Sequence, residues 1–298
     1  MINTPSAPFW PKGKTCAAII SVIFDDGLDA VAQAPDLAGR SKSFSVWEYG
    51  AARGVERLCR TFAAAGIATS WFVPGVVAEK HEGLLRDVVA PHHEIEGRGW
   101  AFERYDTLQA PAAVDLLRRS RDRLGTIASN DVSGFRLPAG NWPRHFDRLL
   151  IDAGYVWSAS LNGDDVPYSH ASSLVEIPVH NELEDRPYFQ FNFTPAFPKG
   201  QGRIPSYDAV LGNWIAEFEA YRKYGLCYVL QLRPEWTGTP GRIALVEELL
   251  RHIRSFDDVW VATAAQVARW HAGKGIASPA EHPMNVYEAY VREEQAGE

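Results

Sequence analysis

The apolar and polar positions of this chain run in two alternating rhythms. Residues 17–24, Ala17-Ala-Ile-Ile-Ser-Val-Ile-Phe24, form an almost unbroken apolar run that Asp25, Asp26 and Gly27 stop. Such a run predicts a strand buried on both faces that delivers two carboxylates to a cavity at its carboxyl end. Residues 54–66 carry apolar positions at helical spacing and end on Gly66, a helix with a glycine C-cap. Residues 67–75 predict a second buried strand closed by Pro74-Gly75, and 76–89 a helix. The alternation continues with helices over 110–125, 143–154, 207–224, 241–254 and 264–272, and strands over 132–136, 155–160, 226–232 and 258–262. Residues 27–46 read as a long loop. Short strands alternating with longer helices predict a parallel α/β sheet with helices outside, and roughly seven or eight such units suggest a closed barrel.

Composition narrows this picture. With 298 residues, 46% of them hydrophobic, the chain can bury a large core. No repeat or linker divides it, so a single domain over 1–298 is expected, with residues 274–298 as an extended tail. A net charge of −7 with scattered basic residues leaves no electrostatic footprint for nucleic acid. No apolar run approaches a membrane span, and residues 1–14 lack the pattern of a secretory signal, so a cytoplasmic location and no membrane partner are expected. Cys16, Cys59 and Cys227 sit inside apolar patterns, as buried thiols in a reducing compartment would.

In a barrel of this kind the residues just past the strand carboxyl ends face the active site. That rule selects Asp25 and Asp26, Arg98 with Trp100, Arg136 with Trp142, Asp164 and Asp165, His180, and Arg233 with Trp236. Glu48, between Trp47 and Tyr49, is a further candidate from the first long loop. Each has a plainer reading. Asp-Asp-Gly is an ordinary turn, the tryptophans suit a core, and His180 suits a structural hydrogen bond. His92 and His93 are consecutive and point to opposite sides, so His93 is read as scaffold.

Several segments together resemble the polysaccharide deacetylase superfamily, the NodB-homology or carbohydrate esterase 4 fold. They are Phe24-Asp-Asp-Gly27, Trp71-Phe-Val-Pro-Gly75, His93-Glu-Ile95, Gly134-Phe-Arg-Leu-Pro138, Leu174-Val-Glu-Ile-Pro178 and Pro240-Gly-Arg242. The stretches 49–54, 164–168 and 232–242 are similar to a cytosolic branch of peptidoglycan-deacetylase-like, allantoinase-like and cyclic imide hydrolase proteins. The resemblance implies a distorted (β/α) barrel, hydrolysis of a non-peptide C–N bond, and a homo-oligomer. It also implies that Asp25 is the base and Asp26 a metal ligand beside two histidines. Those histidine positions fall on Arg98 and Phe102, and the family's general-acid histidine falls on Arg233. A guanidinium is a permanent cation and phenylalanine cannot ligate, so no metal and no cofactor are expected.

A fixed guanidinium can hold a developing oxyanion much as a Lewis acid does. Arg98 and Arg233 are therefore expected to stabilise the oxyanion, Asp25 to activate water, Arg136 to orient Asp25, and His180 to serve as general acid. Glu48, Trp100, Arg136, Trp142 and Trp236 are expected to bind the substrate, a small and cyclic amide, imide or ureide. The alternatives are a metal-dependent N-deacetylase of an amino sugar, or an inactive small-molecule binder in which arginines merely neutralise the carboxylates.

Overall fold

The computed structural model describes residues 9–90, 92–190, 192–193, 196–197, 205–276, 278, 282–285 and 287. Most of the tail expected over 274–298 therefore lies outside the described residues. The strands are β1 Cys16–Ile23, β2 Ser70–Val73, β3 Glu94–Gly97, β4 Gly134–Phe135, β5 Trp157–Ser158, β6 Tyr168–Ser169, β7 Val175–Glu176, β8 Asn192–Phe193, β9 Ala196–Phe197, β10 Cys227–Leu232 and β11 Val259–Val261. The helices are α1 Leu28–Gln33, α2 Ser41–Tyr49, α3 Val55–Ala65, α4 Gly75–Lys80, α5 Glu82–Val89, α6 Ala110–Gly125, α7 Phe146–Asp152, α8 Arg186–Phe189, α9 Tyr207–Tyr224, α10 Pro234–Thr237, α11 Pro240–Arg254 and α12 Ala264–Lys274. None of the described helices is long and apolar enough to cross a membrane.

The sheet runs β10-β1-β2-β3-β4-β5-β7-β6, with β11 also paired to β1. Every pair in it is parallel except β6 with β7. It curls into the distorted barrel expected of a NodB-type fold but does not close strand on strand. Instead, the loop between β5 and β6 and the segment that follows β7 cover the outer edge of β10. Cys227 N–H donates to the Asp165 carbonyl at 2.9 Å, Asp185 N–H donates to the Gln231 carbonyl at 3.0 Å, and Glu184 bridges Gln231. An open edge would otherwise template pairing with another chain.

The two faces of the sheet follow strand parity. Cys16, Ala18, Ile20, Val22 and Phe24 of the first strand region pack outward under the helices, together with Ile95, Phe135, Leu230 and Leu232. Ala17, Ile19, Phe72, Trp157, Val175, Cys227 and Val229 face inward and meet Trp10 and the α12 residues Ala264, Ala265, Val267 and Ala268. The start of α12 plugs the amino-terminal end of the barrel. There Ala264 N–H donates to Ser70 Oγ at 2.8 Å and Ala265 N–H to Glu94 Oε1 at 3.0 Å. One step of the same parity beyond β1, β3, β4 and β10 brings Asp25, Arg98, Arg136 and Arg233 to the inward face at the other end.

Two local expectations are corrected. The loop expected over 27–46 carries α1 and α2, and a π-helical turn, Gly50–Gly54, joins α2 to α3. A Cβ on Gly54 would collide with the Pro234 carbonyl, and one on Gly50 with Glu235, so these glycines let α10 approach the turn closely. The helix expected over 76–89 is broken at His81, whose φ of −118° and ψ of 31° leave the helical region. The cysteines are free, and burial pushes the Cys16 thiol up to about 11 and Cys59 to about 12, so both are weakly reactive.

Candidate active site

Asp25 is fully buried and clamped by Arg98. Arg98 Nε lies 2.5 Å from Asp25 Oδ1 and Nη2 2.8 Å from Oδ2, while Nη1 donates to the Leu137 carbonyl at 3.2 Å. Phe102, held at a φ of 69°, places its ring 5.4 Å from the Arg98 guanidinium carbon. The two positions where the family's metal-binding histidines are expected therefore stack on one another, and the cation occupies both oxygens of the first aspartate. The paired contact expected of Arg136 is made by Arg98.

Asp26 turns away from Asp25. Its φ of 51° is rare for a residue with a side chain and re-aims the carboxylate toward the end of α4. Lys80 Nζ sits 2.8 Å and His81 Nε2 3.0 Å from Asp26 Oδ2. Burial works to raise the Asp26 pKa, but the hydrogen bonds from His81 and Lys80 outweigh it and hold the group below its ordinary value. Its other oxygen, Oδ1, is buried without a hydrogen-bond partner. Glu48 reaches the same corner through Lys80, at 2.6 Å.

Arg233 is buried among carboxylates. Its Nη1 lies 2.7 Å from Glu184 Oε1 and 3.4 Å from Asp185 Oδ1, and its Nε is 3.9 Å from Asp29 Oδ2. Asp185 also accepts from Arg233 N–H at 2.6 Å and Thr237 Oγ1 at 2.5 Å. Burial opposes ionisation of Glu184, but Arg233 and Arg136 overcome it and bring its pKa down to about 2. Burial instead lifts Asp185 to about 6 and raises Asp29 and Glu235 as well. Trp236 joins this group, with the Arg233 guanidinium carbon 5.0 Å from its ring centre.

Arg136 is half-buried and donates from Nη1 to the Ala159 carbonyl at 2.6 Å. Burial pushes it down to about 9, and the neighbouring cations Arg98 and Arg233 act in the same direction. Its Nε, like Arg233 Nε, has no hydrogen-bond partner, and neither does Gln231 Oε1. Buried polar groups are ordinarily satisfied, so an orphaned set of two donors and an acceptor at one end of a barrel is prepared for a polar ligand or ordered water.

The remaining expected residues make their contacts elsewhere. Trp100 packs on Gly75 and lies 3.6 Å from the Arg119 guanidinium carbon, so it fastens α4 to α6. Trp142 stacks on His170 at 5.4 Å with planes 9° apart. His180 pairs with Asn162 at 3.0 Å and Asp165 at 3.4 Å. Its ring meets Tyr221, and it makes no described contact with Asp25, Asp26 or the arginines. Sequence reasoning did not single out Lys80, His81, Asp29, Glu184 or Asp185. Their one signal was the clustering of charge in Lys80-His81 and Glu184-Asp185 beside predicted element ends.

The arrangement does not fit a divalent metal. Both Asp25 oxygens face a guanidinium, Phe102 offers no donor atom, and Asp26 faces an ammonium group. Among the described residues no group of three or more His, Cys, Asp or Glu side chains is placed to hold one.

The family model for polysaccharide deacetylase matches residues 12–157. A crystal structure of a protein assigned as a polysaccharide deacetylase from Mycobacterium smegmatis is 31% identical, with a TM-score of 0.82 over 93% of this chain and 96% of that one. The Puue allantoinase structure superposes with a TM-score of 0.77 at 20% identity, over 92% of this chain and 96% of that one. A protein classed as a polysaccharide deacetylase from Pseudomonas aeruginosa PAO1 gives 0.75 at 21% identity, over 90% and 94% of the two chains. No curated protein matches. The match to the family model, together with the likeness to the mycobacterial protein along nearly its whole length, shows that this chain belongs to the polysaccharide deacetylase family.

Proposed function

We propose that the protein hydrolyses a carbon–nitrogen bond of a small cyclic amide, imide or ureide without a metal ion. The observation that carries this reading is the orphaned set at the inward mouth. Arg136 Nε and Arg233 Nε are donors without hydrogen-bond partners, and Gln231 Oε1 is an acceptor without one. An amide-type ligand offers the complement, a carbonyl oxygen and an N–H. The likeness of the fold to an allantoinase points the same way.

On this reading the roles expected from sequence are redistributed. Asp25 is saturated by Arg98 and holds that arginine in place. Asp26 is the better base, because it stays ionised and one oxygen is free to take a proton from water. Arg136, with Arg233 behind it, donates to the oxygen that gains charge as water adds to the carbonyl. Collapse of the adduct breaks the ring C–N bond, and the proton taken by Asp26 goes to the leaving nitrogen.

A second reading rests on one specific observation, the closure of both Asp25 oxygens by Arg98. A site neutralised in this way suits a non-catalytic binder. The deciding experiment assays chelator-treated, metal-analysed protein on cyclic imides and ring ureides. Turnover by metal-free protein, lost in Asp26→Asn, supports hydrolysis. Saturable binding without turnover selects the binder. Stoichiometric zinc with chelator-sensitive activity overturns both in favour of a metal-dependent deacetylase.

A further inference from the structure

Asp26 lies under a roof. Its side chain is only 5% exposed, and Oδ1, the oxygen left for water, is buried without a partner. The roof is helix α2. Trp47 lies so close over Gly27, the residue after Asp26, that a Cβ on that glycine would collide with the indole ring. Glu48 Oε1 is 2.6 Å from Lys80 Nζ, which is itself 2.8 Å from Asp26 Oδ2, and the Phe44 ring centre is 5.3 Å from the same ammonium. Water from outside reaches Asp26 Oδ1 only if this roof moves.

The roof is fixed at its ends and thinly held between them. At one end Asp29 is buried, with Oδ2 3.5 Å from Gln190 Nε2 and 3.9 Å from Arg233 Nε. At the other end Gly50 packs against Glu235, and Tyr49 Oη accepts from Arg57 Nη1 at 2.5 Å. From Val31 to Tyr49 only Ala34 and Leu37 are buried. With Ala30, Val31 and Trp47 they form a small apolar cluster separate from the two that make up the main core. The far side of this cluster is tied down by the chain Glu48–Lys80–Asp26, whose outer link joins side chains 40% and 45% exposed. An ion pair so exposed contributes little, and a segment with few buried apolar contacts opens at low free energy, independently of the core.

We infer that residues 30–49 are a lid over Asp26, latched by Lys80, and that the lid lifts between its fixed ends to let water and ligand reach that carboxylate. Lys80 is the latch because one ammonium holds both the lid, through Glu48, and the residue beneath it. Lifting leaves Lys80 on Asp26, so the carboxylate keeps its counter-ion while its cover goes. The purpose of the lid rests on the reading of Asp26 as the base, but its test needs no turnover.

Hydrogen–deuterium exchange of the full-length protein, read by mass spectrometry, tests the lid. Helices of six and nine residues do not persist without tertiary support, so lifting exposes their amides. In the wild type, exchange over 30–49 should run at least about tenfold faster than over α3, which buries Val55, Leu58 and Phe62 in the main core. Glu48→Ala should raise exchange along the whole of 30–49 together. It should also speed carbethoxylation of His81, 12% exposed beside Asp26, by about two- to fivefold relative to exposed His145. Exchange over 30–49 as slow as over α3 overturns the lid, and so does an effect of Glu48→Ala confined to 44–49 with His81 unchanged. Either result leaves the hydrolase reading standing. Opening of 30–49 as described in a protein that turns over no imide supports the lid and removes the hydrolase reading alone.

Discussion

Asp25 and Asp26 are neighbours in the chain, yet their surroundings give them opposite work. Asp25→Asn leaves the Arg98 charge buried without its clamp, and an expected loss of about 3–5 kcal/mol of stability should be read from urea unfolding. Asp26→Asn breaks only contacts to half-exposed Lys80 and to His81, so stability should fall by about 1 kcal/mol or less. Turnover, by contrast, should fall by a factor on the order of 100 to 10,000. A reversed pattern would return the role of base to Asp25. His93 supplies a second prediction. Its Nδ1 accepts Thr69 N–H at 3.1 Å, and burial brings its pKa from 6.5 down to about 4. The unfolded chain therefore binds a proton that the folded one refuses as pH falls from 6.5 toward 4. Stability should drop across that window by about 3 kcal/mol, and His93→Asn, which keeps an acceptor for Thr69, should flatten the slope.

At the level of elements, what the sequence made legible was what strand parity controls. Asp25, Arg98, Arg136 and Arg233 each sit one inward step past a strand, so a period of two places them without further information. Lys80, His81, Glu184 and Asp185 lie in helix breaks and loops, where no period applies and only packing decides which way a side chain faces. Helix α2 was missed for a related reason. It buries none of its residues and so shows no apolar stripe. Trp100 and Trp142 carried the right position but the wrong partner, because a large aromatic beside a mouth packs equally well onto a neighbouring helix or ring. The π-helical turn yields a prediction at this scale. Gly54→Ala should force α10 away from the turn, costing about 1–3 kcal/mol by thermal unfolding and weakening ligand binding through displacement of Arg233.

For the molecule as a whole, two unlike closures hold the barrel. At its amino-terminal end α12 seals the inward apolar face, so removal of residues 264–298 should expose Ala17, Ile19 and Val229 to water. The truncated chain is expected in the insoluble fraction on expression, and a soluble, cooperatively melting product would count against α12 as the plug. At the other side, the backbone of Glu184 and Asp185 covers the outer edge of β10 while their carboxylates hold Arg233. The carboxylates that neutralise Arg233 and the backbone that protects the edge therefore belong to the same few residues. Any excursion that swings this segment out to admit a bulky ligand also bares a strand edge, so the width of the mouth is limited by the need to stay unaggregated as much as by the size of the substrate.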